Sequence, residues 1–184
     1  MTIAFLDANV FPHVWLTDVL LTFADFNLFS PIFSEEVLQE ATRTFIDKLG
    51  KTSDFVMRYI EQIRTIDSAY LSSPQPPLCT AAVIPDVDDR HVVTAAYNGN
   101  AEFIITFNLK DFPNEQLETM GLTALHPDDF LTWLASQQHK LCMEAMNYLV
   151  DSKKNPPRTM QEELNHLAQT GMPMFASAIR NQNM

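Results

Sequence analysis

Acidic and carboxamide side chains gather where apolar runs of this 184-residue chain end. Asp7 and Asn9 follow the run from Thr2 to Leu6, Asp86, Asp88 and Asp89 precede a Val/Ala-rich segment, and Asn108 and Asp111 follow the run from Ala101 to Thr106. Glu36 and Glu40, four apart, share one face of any helix that carries them. Carboxylates brought together without basic partners repel one another, and their joint ionisation is unfavourable unless a cation sits among them. Oxygen donors favour Mg²⁺ or Mn²⁺ over zinc or copper. Such an ion lowers the pKa of a bound water and stabilises the charge of an in-line displacement, which is the chemistry of phosphodiester hydrolysis.

Each of these residues also has a plainer reading. Asp7 and Asn9 suit the cap of a following helix, and Glu36 with Glu40 suits a solvated helix face. The aspartates at 86, 88 and 89 suit a helix amino terminus, Asn108 and Asp111 suit a turn, and Thr106 suits a strand.

The elements that would position these groups alternate between short apolar runs and amphipathic stretches. Strands are expected at 2–6, 28–33, 81–84, 101–106 and 121–125. Helices are expected from 10 to about 26 with Pro12 in the first turn, from Ser34 as N-cap to about 49, and from 53 to 66. A further helix is capped by Asp86, has Asp89 at its third position and stops at Asn98-Gly99-Asn100; another opens at His126-Pro127 with Asp128 and Asp129 matched to the helix dipole. Four prolines between 72 and 85 make a loop. Beyond residue 135 helical patterning continues, breaks at Asn155-Pro156-Pro157 and restarts at a capping box, Thr159 to Glu162. The expected organisation is an α/β domain over 1–135, with a parallel sheet flanked by helices, and a helical extension over 136–184. In such a sheet the site lies beyond the carboxyl ends of the strands, where Asp7, the 86–89 cluster and the Asn108/Asp111 pair would meet.

Composition removes several classes. Four scattered glycines leave no dinucleotide fingerprint and no Walker-type loop. Two cysteines, Cys79 and Cys142, without CxxC or zinc spacing argue against structural zinc and read as inert thiols; the five histidines form no HxxxH pair and are assigned to no metal. No uncharged apolar stretch approaches the roughly 20 residues of a membrane span, and the start lacks a basic n-region, so a soluble cytoplasmic protein is expected. A net charge of −11 argues against a broad basic nucleic-acid face, though not against a small phosphodiester site built on cations. Arg90 and Lys110 adjoin the acidic edge and are read first as isolated surface cations, with phosphate contact as the alternative, and Trp15 and Trp133 read as core residues on apolar helical stripes.

Four ordered motifs, Leu6-Asp-Ala-Asn9, Ser34-Glu-Glu-Val-Leu-Gln-Glu40, Asp86 to Ala96, and Ile105 to Pro113, together resemble the PIN domain family, and most nearly the VapC-like toxins of type II toxin–antitoxin modules. The resemblance covers about residues 1–135, and the carboxyl-terminal helices look like an extension carried by a subgroup. It implies a PIN-like parallel-sheet fold and a Mg²⁺- or Mn²⁺-dependent endoribonuclease, with an RNA substrate, a small antitoxin protein as partner and a homodimeric state. By position it implies Asp7, Glu40, Asp89 and Asp111 as catalytic metal ligands, with Asn9, Thr106, Asn108, Asp86 and Glu36 in support. Many members carry aspartate where this chain has Asn108, and Asp111 is the residue that would compensate. A catalytically silent PIN-like protein-binding module is the alternative; a phosphatase or a structure-specific DNA nuclease ranks behind both.

Overall fold

The structure is a computed structural model that describes residues 1–72, 86–154 and 156–181. Four short strands, β1 (Ile3–Leu6), β2 (Ser30–Ile32), β3 (Phe103–Ile105) and β4 (Thr123–Leu125), form one wholly parallel sheet in the order β2-β1-β3-β4. Ala4, Phe5 and Leu6 are all fully buried, as expected for a parallel strand covered on both faces. Pro31 lies in β2, the edge strand, where its missing N–H costs least. The chain leaves β1 for β2 on one side and returns to β3 on the other. The carboxyl ends of β1 and β3 therefore flank the point where strand order reverses, the usual seat of a ligand in open α/β sheets.

The helices follow the expected order with local corrections. α1 (Val14–Asp25) starts later than expected: residues 8–12 form turns tied by the Val10 N–H to Asp7 C=O bond of 3.0 Å, so Pro12 precedes the helix instead of occupying its first turn. α2 (Glu35–Arg43) has Ser34 as N-cap, its Oγ accepting from the Val37 N–H at 3.2 Å. It does not continue as α-helix to 49; a π turn at Thr44–Lys48 takes over, widening the backbone at the edge of the site. α3 (Ser53–Ile66) matches expectation. The strand expected at 81–84, most of the proline-rich loop and Cys79 lie outside the described residues.

α4 (Arg90–Asn98) corrects the expected cap: Asp89, not Asp86, stands at the N-cap position, and Asp86 Oδ1 instead accepts from the Asp88 N–H at 2.9 Å. Gly99, just past α4, is closely packed: a Cβ there would lie 2.2 Å from Ile32 Cδ1, which would have to swing aside, and 3.1 Å from the Ala95 C=O. α5 (Asn114–Leu117) connects β3 to β4.

α6 (Pro127–Gln137), α7 (His139–Ser152), α8 (Met160–Gln169) and α9 (Pro173–Asn181) complete the chain. α6 packs on the sheet through Phe130 and Trp133 against Phe103 and bears on α7 and α9, and α7 lies against α1; residue 135 falls inside α6. Asp128, expected to favour its own helix dipole, is almost fully buried and accepts from the Met174 and Phe175 N–H groups at 3.0 and 2.7 Å, opening α9. The Thr159 capping box is present in full. Trp15 departs from its expected core role: it is half-buried, with Lys153 Nζ 3.9 Å and Arg158 Cζ 4.0 Å from its ring centroid. Among the described residues no helix is long and apolar enough to cross a membrane.

Candidate active site at the carboxyl ends of β1 and β3

Asp7 is the residue after β1. Its N–H still donates to the Ile105 C=O at 3.1 Å, so the sheet ladder holds its backbone while the side chain emerges at the strand end. Asp7 Oδ1 accepts from the Ala8 N–H at 2.7 Å; Oδ2 accepts from Asn9 Nδ2 and from Thr106 Oγ1, each at 2.7 Å. Asn9 Oδ1 accepts from the Phe107 N–H at 3.1 Å, and Thr106 Oγ1 accepts from the Asn108 N–H at 3.0 Å. An amide and a hydroxyl thus stitch the ends of β1 and β3 and fix the direction of one carboxylate. Thr106 is fully buried and Asp7 nearly so. Burial pushes the Asp7 carboxyl above its ordinary value; the bonds from Thr106 and Ala8 oppose this, and the Glu40 charge adds to it.

Asp89 enters from the amino end of α4, where its side chain makes no capping bond. Its pKa is raised to about 6, first by burial and then by the charges of Asp7, Asp86, Asp111 and Glu40. Asp86, Asp89 and Asp111 each offer a carboxylate oxygen, all within 4.8 Å of one another. Asn108 Nδ2 donates to Asp111 Oδ2, so the amide where the family often has a carboxylate holds the neighbouring carboxylate in place.

Glu40 reaches the same cleft from α2. It lies 3.0 Å from His91 Nε2 and 3.8 Å from Arg43, while Glu36, more exposed, stands 3.7 Å from His91 Nδ1 in an adjoining groove. Burial alone would lower the His91 pKa; the bond to Glu40 and the charges of Glu40, Glu36 and Asp7 outweigh it and raise the value. Asp7, Glu40 and Asp89 line a cleft of about 790 Å³ together with Asn9 and Asn108, and Arg43 and Lys48 stand on its wall. The structure thus brings Asp7, Asn9, Glu40, Asp89, Thr106 and Asn108 to one place, sets Asp86 and Asp111 against Asp89, and leaves Glu36 at the side.

Carboxylates so clustered, with Asp7 and Asp89 raised, offer oxygen donors that fit a hard divalent cation. Cys142 fits no part of this: it is buried elsewhere, and burial pushes its thiol up to about 12.

Residues 4–110 match the PIN domain family. The chain belongs to that family. Residues 127–181 of this PIN-domain chain match a second family, the VapC50 C-terminal domain. The chain is also 37% identical over 100 residues to the "Putative ribonuclease VapC50" of Mycobacterium tuberculosis, an overlap of 54% of this chain and 59% of that protein. It thus matches under two thirds of that relative's length. No solved structure matches.

Three residues of the site escape sequence reasoning. His91 is two positions from Asp89 but gains meaning only when α2 brings Glu36 and Glu40 beside it. Arg43 and Lys48 read as surface cations, and the π turn that puts Lys48 on the cleft has no local signature. The one available signal is composition: in a chain with 12 Lys and Arg, Arg43, Lys48 and Lys51 fall close together.

Proposed function

We propose that this PIN-domain protein is a Mg²⁺- or Mn²⁺-dependent endoribonuclease, the toxin of a type II toxin–antitoxin module. The observation that carries the reading is the convergence of Asp86, Asp89 and Asp111, with carboxylate oxygens within 4.8 Å of one another, on Asp7 and Glu40 at the reversal point of the sheet, where burial and then these charges raise the Asp89 carboxyl to about 6. That is a charge excess which a bound divalent cation relieves. The name of the mycobacterial relative supports ribonuclease activity.

Asp7, Asp89, Glu40 and Asp111 would hold the cation, which supplies an acidified water and stabilises negative charge at the phosphorus. The chain's own residues do the positioning. Asn9 and Thr106 occupy Asp7 Oδ2, so that the carboxylate presents a fixed edge to the cleft. Asn108 orients Asp111, which answers the missing charge at 108 and weakens the silent-module alternative. Asp86 and Glu36 add negative potential at the margins, and Arg43 and Lys48 give the RNA phosphates a cationic wall.

The reading extends to a small antitoxin protein that restrains the enzyme, a homodimer, and action in the cytoplasm. It keeps 1–135 as the nuclease domain and 136–184 as an extension that braces α1. Asp7→Asn and Asp89→Asn test the core of it. Cleavage of a labelled RNA in Mn²⁺ should fall on the order of 10²-fold or more with circular dichroism unchanged. Full activity in both purified variants would defeat the assignment.

A further inference from the structure

We propose that a second cavity, beside the acidic cleft, is a nucleobase pocket that takes one unstacked base of the RNA next to the cut; the inference rests on the ribonuclease reading. This cavity, of about 290 Å³, has walls from both parts of the chain: Trp15 of α1, Phe45 of the π turn, Phe55 of α3, and His166 with Thr170 at the end of α8. Pro12 and His13 line both this cavity and the acidic cleft, so the two spaces share a wall. The His13 ring stacks on Phe107 at 4.4 Å between centroids, and Phe107 follows Thr106 directly. That saddle is therefore fixed to the same strand end that orients Asp7.

Three features select a base as the occupant. Five of the eleven lining residues carry aromatic rings. Trp15 is already met by His166, Lys153 and Arg158 and Phe45 is buried, so His13 and Phe55 are the rings open to a base, and single-stranded RNA is recognised by splayed bases against such rings, with hydrogen bonds to the base edges. His166 Nε2 is buried and has no hydrogen-bond partner among the described residues, a deficit that a base edge would satisfy. Burial, and then Arg158, hold the His166 pKa below its ordinary value, so at neutral pH the ring offers both a donor and an acceptor. The third feature is charge. Arg43 and Lys48 line the cleft, with Asp47 between them, and Lys51 lines the pocket, so cations occur along both spaces in a chain of net charge −11. A nucleotide placed across the saddle would set its phosphate toward the carboxylates and their cation, its base among the rings, and the next phosphate near Lys51.

The test uses the full chain in EDTA and follows tryptophan emission, because Trp15 lines the pocket, during titration with adenosine, guanosine, cytidine and uridine monophosphates. Saturable quenching by at least one of them is expected, weakened about tenfold by Phe55→Ala and by His166→Phe. Phe55 is 39% exposed, so its truncation leaves the core intact. In parallel, an oligoribonucleotide with an abasic residue moved stepwise past the cut should show a KM about tenfold higher at one position, with no further rise in Phe55→Ala. Intact RNA cut normally, with no quenching and a flat abasic scan, overturns the pocket and leaves the ribonuclease reading standing. Quenching in a chain that cuts no RNA supports the pocket and sinks the ribonuclease reading instead. Quenching by toluene but by no nucleotide assigns the cavity to an apolar side chain of a protein partner and overturns the inference.

Discussion

Carboxylates leave bulk water in two regions of this molecule, and their surroundings differ. Glu163 on α8 is fully buried, with Lys153 Nζ 2.7 Å from one oxygen and Arg158 3.9 Å from the other; both cations also lie over Trp15. In the cleft, Asp7 and Asp89 have hydroxyl, amide and carboxylate neighbours, and from α2 Glu40 stands 3.8 Å from Arg43 and 3.0 Å from His91. Asp89 answers with a pKa of about 6. The contrast separates two uses of one side-chain type. Where the chain supplies its own counter-charge the carboxylate is a structural tie, here between α8 and the end of α7, whose Lys153 lies over Trp15 of α1. Where it withholds the counter-charge the carboxylates are poised for something from outside.

The largest effect should come from breaking the compensated region. Lys153→Met leaves Glu163 buried with only the distant Arg158, and removal of one partner from a buried pair costs about 3 kcal/mol or more. Urea unfolding of the purified variant measures it. A loss below about 1 kcal/mol would mean that water reaches Glu163 and the two regions are less different than they look.

The uncompensated region should respond to a cation instead. At a hundred times its dissociation constant, Mn²⁺ adds about 2.7 kcal/mol of stability, visible as a rise in melting temperature. Asp7→Asn should abolish most of that rise. An equal rise in variant and parent would place the ion somewhere other than the cleft.

Asp128 sharpens the comparison from a third position: a buried carboxylate satisfied by two backbone N–H groups, with no cation paired to it among the described residues. Asp128→Ala should cost about 2 kcal/mol, because two charge-assisted bonds and the start of α9 are lost together. RNA cleavage measured below the melting range should stay near the parent rate. A large fall in cleavage without a fall in stability would tie Asp128 to the cleft.

What the amino-acid pattern reveals tracks how local each cause is. Ser34 and Thr159 are readable as caps because a cap bond spans three residues. The strands are readable because Ala4 to Leu6 and Ile104 to Ile105 are apolar on both faces. Asp7, Asn9 and Thr106 are readable as polar punctuation after strands, but their mutual bonds cross 97 and 99 positions and exist only once β1 and β3 pair. The same holds for Trp15, whose cations arrive from the far side of α7, and for Asp128, which resembles a dipole partner for α6 until α9 packs against it. The π turn at Thr44–Lys48 has no composition that distinguishes it from the α-helix expected there.

The smallest effect is the pH dependence of the ion-free protein, and its sign reports on the cleft. Asp89 has a folded pKa near 6 against an ordinary value of 3.8, and Asp7 is raised as well, so between these values the folded state binds more protons than the unfolded one. Their ionisation therefore costs stability as pH rises from about 4 to 6. His91, also raised, adds to the slope, because the stability it contributes is present when it is protonated and is lost as pH climbs through its folded value. In EDTA the melting temperature should thus fall between pH 5 and 7, by an amount reduced by the partial exposure of Asp89. Asp89→Asn should flatten that fall, and saturating Mn²⁺ should reverse it, since the cation binds the deprotonated carboxylates. A parent protein that gains stability from pH 5 to 7 in EDTA would mean that His13 and His166, which burial holds below their ordinary value, dominate the titration and that the cleft carries no stored repulsion.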